Sequence, residues 1–200
     1  MSSIEIRKIG ITKLHVDVVV NAANSGLKAG GGVCGAIFNE AGHVQLQTAC
    51  DRIGYCAPGH AVVTPAFKLP SKYIIHAVGP KWIDGNHNEA QLLYSCYREA
   101  LRSASKNGCH SIAFPLISSG IYGYPKEQAW RKAIQSCRDY IDNNPEEDID
   151  IVFAVIDDQM YCMGKQTLSE IAPQHKKELD LQGIHGKEED TMIGKDDTCA

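Results

Sequence analysis

The feature that most restricts how this chain can fold is an alternation. Short runs rich in β-branched residues are separated by stretches whose apolar residues recur every three or four positions. The first kind reads as strand and the second as amphipathic helix, so the pattern predicts a sheet flanked by helices, an α/β fold, rather than a bundle or a sandwich. Strands are expected over residues 4–9, 16–21, 61–65, 73–78, 111–116 and 149–156. Val18-Val19-Val20 and Ile151-Val152-Phe153-Ala154-Val155 are apolar without alternation, as a strand covered on both faces should be. Val33, Ile37 and Ala41 place a helix after a glycine run, ending near Gly42. Asn88 stands as the cap of a second helix, with Ala90, Leu93, Tyr94, Tyr97, Leu101 and Ala104 on one stripe and Asn107-Gly108 at its end. Pro125 suits the first turn of a third, which buries Ala129, Trp130, Ala133, Ile134, Cys137 and Ile141 before Asn143-Asn144-Pro145 stops it. A short fourth helix is expected over residues 166–171.

Two hundred residues, 44% hydrophobic and 22% charged, suit one ordinary globular core and exclude a disordered, collagen-like or disulfide-scaffold chain. We read residues 1–172 as the domain and 173–200 as a polar tail, because the stretch from Gln174 onward sets four lysines against seven acids with sparse apolar residues. A net charge of −4 and a pI near 6.0 argue against strong nucleic-acid binding. The apolar runs fall short of the roughly 18 residues of a membrane span, and no apolar stretch follows the basic residues near Met1. A cytoplasmic monomer with reduced cysteines is therefore expected. Cys50, Cys56 and His60 are zinc-type residues without the tight knuckle spacing, so no metal is expected, and His76 reads as a core histidine.

Two turns carry the chemistry. Five of the ten residues from Gly26 to Gly35 are glycine, and they join a strand ending in Asn21-Ala22-Ala23-Asn24 to the helix near Val33. Glycines feeding a helix N-terminus let backbone N–H groups approach a phosphate closely. A second turn of small residues, Ser118-Ser119-Gly120-Ile121-Tyr122-Gly123-Tyr124-Pro125, follows another apolar strand. In an open α/β sheet both turns would leave the carboxyl ends of strands, where ligands bind, and together they could grip two phosphates. Neither the Walker pattern nor a properly placed Gly-x-Gly-x-x-Gly is present, which disfavours an ordinary NTPase or dehydrogenase.

Asn21-Ala22-Ala23-Asn24, then Gly30-Gly31-Gly32-Val33-x-Gly35-Ala36-Ile37, then Ile117 to Pro125, strongly resemble the macrodomain family, on its branch of ADP-ribosyl-ester hydrolases and O-acetyl-ADP-ribose deacetylases. Pro58-Gly59-His60-Ala61-Val62-Val63-Thr64 and Ile75-His76-Ala77-Val78-Gly79-Pro80-x-Trp82 resemble the same branch. The resemblance implies a three-layer α/β/α sandwich with a central mixed sheet. It would hold ADP-ribose between Gly31, Gly32 and Val33 on one side and Ser118, Ser119, Gly120, Ile121 and Tyr122 on the other, with Ile11, Ala22 and Ile156 completing the contacts. It implies that Asn24 holds the distal ribose, that Tyr122 packs against it, and that a water positioned by the substrate's own phosphate attacks. No cofactor is implied, and the partners are ADP-ribose, an ADP-ribosylated protein or O-acetyl-ADP-ribose.

Three departures from the family pattern qualify the enzyme reading. Cys34 stands where many hydrolases of this branch carry Asp, and a thiol does not replace a carboxylate as acceptor. Near a helix N-terminus Cys34 could instead be a nucleophile, although no His or Asp adjoins it in sequence. Gly10 stands where the family commonly has an Asp that reads the adenine amino group, and Ile156 where an aromatic usually stacks on adenine. A non-catalytic reader of ADP-ribosylated proteins, or a crevice for another phosphorylated ribose, are the rival readings.

Overall fold

The computed structural model describes residues 1–171; the expected tail lies outside the described residues. The elements are β1 (Ser3–Lys8), a short 3-10 turn (Ile11–Lys13), β2 (Val18–Ala22), α1 (Gly32–Ala41), α2 (His43–Ile53), β3 (Ala61–Pro65), β4 (Tyr73–Ala77), α3 (Glu89–Lys106), β5 (Ser111–Phe114), α4 (Lys126–Asn143), β6 (Asp150–Val155) and α5 (Asp158–Ile171). The strands form one sheet in the order β1-β6-β5-β2-β4-β3, parallel except for the β3–β4 pair. This is the mixed sheet expected, with the antiparallel strand at an edge.

Burial on both faces explains the unbroken apolar strands. Val18 and Val20 join the cluster under α3 and α4, with Leu93, Tyr97, Trp130 and Ile134, while Val19 between them joins Ile37, Phe38, Leu46 and Cys50 of α1 and α2. The period of two thus serves two cores at once, giving three layers. Trp130 of α4 is fully buried, its ring edge-on to Phe153 of β6 with 5.4 Å between centroids. A buried aromatic of this kind stabilises the fold by about 1.5–3 kcal/mol.

Where sequence and structure differ, packing supplies the reason. Helix α2 was not anticipated, because only Leu46 and Cys50 of its eleven residues are buried, too few for a visible stripe. Helix α5 begins at Asp158 rather than at 166, running straight through Gly164. That glycine is a contact and not a breaker: a Cβ there would lie 2.7 Å from Trp130 Cζ2 and 2.9 Å from Ile6 Cδ1. Asn88 precedes α3 with φ +60° but makes no side-chain cap. Instead, buried Glu89 accepts the N–H groups of Ile83, Asp84, Gly85 and His87 at 2.6–3.3 Å. Burial alone would raise its pKa; the backbone bonds prevail and hold it at about 2. Cys34, Cys50, Cys56, Cys96, Cys109 and Cys137 are free thiols.

His76, the fourth residue of β4, is fully buried. Asn21 Nδ2 donates to its Nδ1 at 3.1 Å, so Nε2 carries the proton and faces Thr64 Oγ1 at 3.0 Å, with Cys50 Sγ at 3.7 Å. Burial drops its pKa to about 4 from the usual 6.5. The unfolded chain therefore takes up this proton first on acidification. The stabilisation is complete above pH 6.5 and is lost as pH falls from 6.5 through 4, amounting to about 3 kcal/mol. Denaturant titrations across that window should show this decline in the wild type and a flatter profile in His76→Gln.

Candidate functional site

β2 and β5 lie side by side, but their chains leave the sheet in opposite directions: β2 leads to α1 on one face, β5 to α4 on the other. The gap between two such departures is the topological switch point where open sheets take their ligands. A cavity of about 550 Å³ occupies it, a volume ordinary for a small-molecule site.

The first wall is the β2–α1 turn. Gly31 sits at the N-cap of α1 and offers no side chain, so the N–H groups of Gly32, Val33 and Cys34 donate to no described acceptor. Gly32 has φ +60°, and at Gly35 a Cβ would stand 2.7 Å from the Gly30 carbonyl oxygen, so the turn closes tightly only with glycine there. Helix α2 braces it: Gln47 Oε1 accepts from Ala29 N at 2.9 Å, and Gln47 Nε2 donates to the Leu27 carbonyl at 3.2 Å. Lys28 adds an ion pair to Asp51 at 2.7 Å.

The second wall is the β5–α4 turn, held by its own carbonyls. Ser119 Oγ donates to Leu116 O at 2.7 Å, Gly123 N to Gly120 O at 2.9 Å, Tyr124 N to Ser118 O at 3.0 Å and Trp82 N to Tyr122 O at 2.8 Å. The N–H groups of Gly120, Ile121 and Tyr122 are again left without a described acceptor. Ser118 is buried in the left-handed region at φ +66°, and its hydroxyl has no partner among the described residues. The loop after β4 must pass close to it: a Cβ on Gly79 would lie 2.2 Å from Ser118 Oγ.

Every residue that the sequence singled out for the site lines this one cavity: Ile11, Ala22, Asn24, Gly31, Gly32, Val33 and Cys34 on one side, Ser118, Ser119, Gly120, Ile121, Tyr122 and Ile156 on the other. Ala22 ends β2, and buried Ile11 opens the 3-10 turn. Ile121 and Ile156 are 90% and 79% exposed, apolar flanks without a cover. Asn24 already works for the loop, its Nδ2 donating to Lys28 O at 2.7 Å and its Oδ1 accepting from Lys28 N at 3.1 Å. One amide hydrogen and one lone pair remain for another partner. Lys81 Nζ lies 5.6 Å from the Tyr122 ring centroid. Partial burial, and then the nearby Cys34 sulfur, raise the Tyr122 phenol above its ordinary pKa.

Sequence reasoning missed Gly79, Asp157 and Met160, which also line the cavity, and the brace Gln47. The helix carrying Gln47 was itself unread, so only the Val-Gly of Val78-Gly79 offered any signal. Asp157 is the one charged residue in the lining. An anion in this cavity would therefore meet backbone dipoles and the α1 terminus rather than lysine or arginine. Elsewhere, Asp84, His87 and Glu89 gather their ligand atoms within 4.8 Å. Glu89 and Asp84 spend theirs on backbone N–H groups, including Asn86 N on Asp84 at 2.9 Å.

Comparison with known proteins agrees with this architecture. The sequence profile of the Macro domain matches residues 20–133. An O-acetyl-ADP-ribose deacetylase of Escherichia fergusonii is 46% identical over 164 residues, covering 79% of this chain and 90% of the relative. The Oceanobacillus iheyensis macrodomain solved with ADP superposes with a TM-score of 0.77 at 36% identity, over 84% of this chain and 90% of that one. A Trypanosoma brucei macrodomain in complex with ADP-ribose gives 0.76 at 33% identity, over 82% and 68%. With two amide-lined turns facing one cavity on a mixed six-stranded sheet, and with these relatives, the chain belongs to the macrodomain family.

Proposed function

We propose that the cavity binds ADP-ribose and that the protein hydrolyses ADP-ribose esters, either O-acetyl-ADP-ribose or a mono-ADP-ribosylated protein, by water attack. The observation that carries this reading is the pair of amide rows, Gly32 to Cys34 and Gly120 to Tyr122, opposed across a cavity without a cationic side chain. Such rows suit a diphosphate, whose oxygens accept several N–H bonds at once. The relatives named for O-acetyl-ADP-ribose deacetylation, and the neighbour solved with ADP-ribose, support the ligand class.

In this reading Asn24 uses its remaining donor and lone pair on the distal ribose hydroxyls, and Tyr122 closes that end. A water held by the substrate's phosphate adds to the acyl carbon. The ester C–O bond then breaks, the ribose oxygen takes a proton, and the acid departs. The protein's part is to orient and to exclude bulk water, which supplies the larger share of the rate. Cys34 does not serve as general base. Asp157, the carboxylate of the lining, follows β6, two strands away from the β2 turn of Asn24. That gap is the specific observation favouring the second reading, a non-catalytic reader of ADP-ribosylated proteins.

Incubation with O-acetyl-ADP-ribose and with a glutamate-linked ADP-ribosylated peptide should release ADP-ribose. Asn24→Ala should lower turnover at least about tenfold and stability by about 1–2 kcal/mol, because it also removes both bonds to Lys28. Micromolar binding without any release would make the protein a reader. Cys34→Ser should keep turnover; its abolition, with a trapped thioester, would instead establish a covalent step.

Gly31 and Gly120 give a second test. A Cβ at either would meet no atom within 4 Å, and neither has a positive φ. Alanine at each should leave the melting temperature nearly unchanged while weakening ADP-ribose at least about tenfold in calorimetry, since the added methyl fills space beside the amides. Unaltered affinity in both variants would move the diphosphate elsewhere.

A further inference from the structure

The chain leaving β4 brings a further element to the Asn24 end of the cavity. β4 adjoins β2 on the side away from β5, so Val78 to Trp82 pass beside that end, with Gly79 in the lining and Lys81 just outside it. The loop that follows is rigidly held. Trp82 N donates to Tyr122 O at 2.8 Å, the Trp82 ring meets Tyr124 at 4.7 Å between centroids, and Glu89 accepts from Ile83, Asp84, Gly85 and His87. Gly85 stands at φ +90°, where a Cβ would lie 2.9 Å from the Trp82 ring.

What this held loop presents outward is a cation and an apolar side chain. Lys81 is exposed, and Ile83 is 63% exposed. Lys8, Lys13 and Lys28, on other segments that lead to the cavity, pair with Asp158, Glu40 and Asp51, whereas Lys81 forms no ion pair with a described residue. Asp84, the exposed carboxylate of the loop, takes the Asn86 N–H at 2.9 Å and the His87 ring at 3.0 Å. The Lys81 ammonium stands over the Tyr122 ring instead. Such a contact is modest at an exposed site, so the charge is available to a stronger partner. An acetyl group on the distal ribose would end at its methyl, within the cavity. A glutamyl ester continues into a polypeptide, which must leave past Tyr122 and meet Lys81 outside.

We infer that Lys81 and the loop up to Glu89 form a docking surface for the polypeptide attached to the ADP-ribose, and that Lys81 makes this surface select an acidic segment. The inference rests on the proposed reading of the cavity as an ADP-ribose site, and it names the protein-linked ester, rather than O-acetyl-ADP-ribose, as the ligand class the outer surface serves. The chain as a whole carries a charge of −4, so an acidic segment is drawn only to a place where a local cation stands unpaired. Ile83, two residues on, offers the same segment an apolar contact.

The test is calorimetry with three probes: free ADP-ribose, and two peptides that carry ADP-ribose through a hydrolysis-resistant triazole, one flanked by aspartates and one by asparagines. Because nothing is cleaved, the readout is the same for an enzyme and for a reader. Wild type should bind the aspartate-flanked peptide about threefold or more tightly than the asparagine-flanked one at low salt, and the difference should shrink at high salt. Lys81→Gln should bring the two peptides near parity, Lys81→Glu should reverse their order, and Lys81→Arg should keep the preference. Free ADP-ribose should bind Lys81→Gln and Lys81→Arg within about twofold of wild type, since Lys81 lies outside the lining. Equal binding of the two peptides by the wild type, or a preference that survives Lys81→Gln, would overturn the inference while leaving the ADP-ribose reading intact. So would a loss of free ADP-ribose affinity in Lys81→Gln as large as the loss for the aspartate-flanked peptide, which would make Lys81 a prop for Tyr122. Failure of free ADP-ribose to bind the wild type would overturn that reading and this one with it.

Discussion

Six backbone N–H groups without acceptors among the described residues, three at the head of α1 and three in the β5–α4 turn, are what the rest of this structure is arranged around. They can face one another only because β2 and β5 are adjacent and their crossovers cover opposite faces. Any other neighbour for either strand would separate the rows. Backbone amides also explain how an acidic chain can favour an anionic ligand: the attraction is short in range, directional and independent of net charge. In the proposed reading, the same arrangement leaves the Asn24 end without a carboxylate, so orientation, rather than a dedicated base, is what the chain would bring to the reaction.

Loops that present unpaired donors must be held in shape by their remaining groups and by their neighbours. The first turn is held from α2 by Gln47 and by the Lys28–Asp51 pair, and from within by the Asn24 amide. The second is held by its own carbonyls and by the close crossing of Gly79 at Ser118. Glu89 performs a comparable service for the loop ahead of α3, its charge stabilised by four N–H groups and thus insensitive to pH until about 2. Across β2, β4 and the edge strand β3, the Asn21–His76–Thr64 chain is a polar core whose histidine stays neutral. It makes the domain sensitive to mild acid without taking part in the cavity.

Much of this was legible in the chain. Unbroken apolar runs identified the central strands within one or two residues, and the two glycine turns could be recognised because few other functions call for glycine before a helix and again after a strand. What escaped notice did so for physical reasons. Helix α2 buries two side chains, so periodicity could not reveal it, and with it went Gln47. The first two turns of α5 were not read, and its Gly164 is fixed by tertiary contact, lying where a Cβ would strike Trp130 and Ile6. Asn88 had the right residue type for a cap, but its backbone sits in the left-handed region at φ +60° rather than the extended one a capping side chain requires.

The amino-acid sequence by itself determined the α/β class, both amide-rich turns and the residue types that could meet a phosphorylated ribose, because these depend on local pattern and on the freedom of glycine. Only the tertiary structure decided which strands became neighbours, and therefore that two turns nearly ninety positions apart share one cavity. It also decided that Asp157, unremarkable in the chain, supplies the lining's one charge. Adjacency in a sheet is set by how the two cores pack on either face, a property of the whole molecule that no local stretch contains.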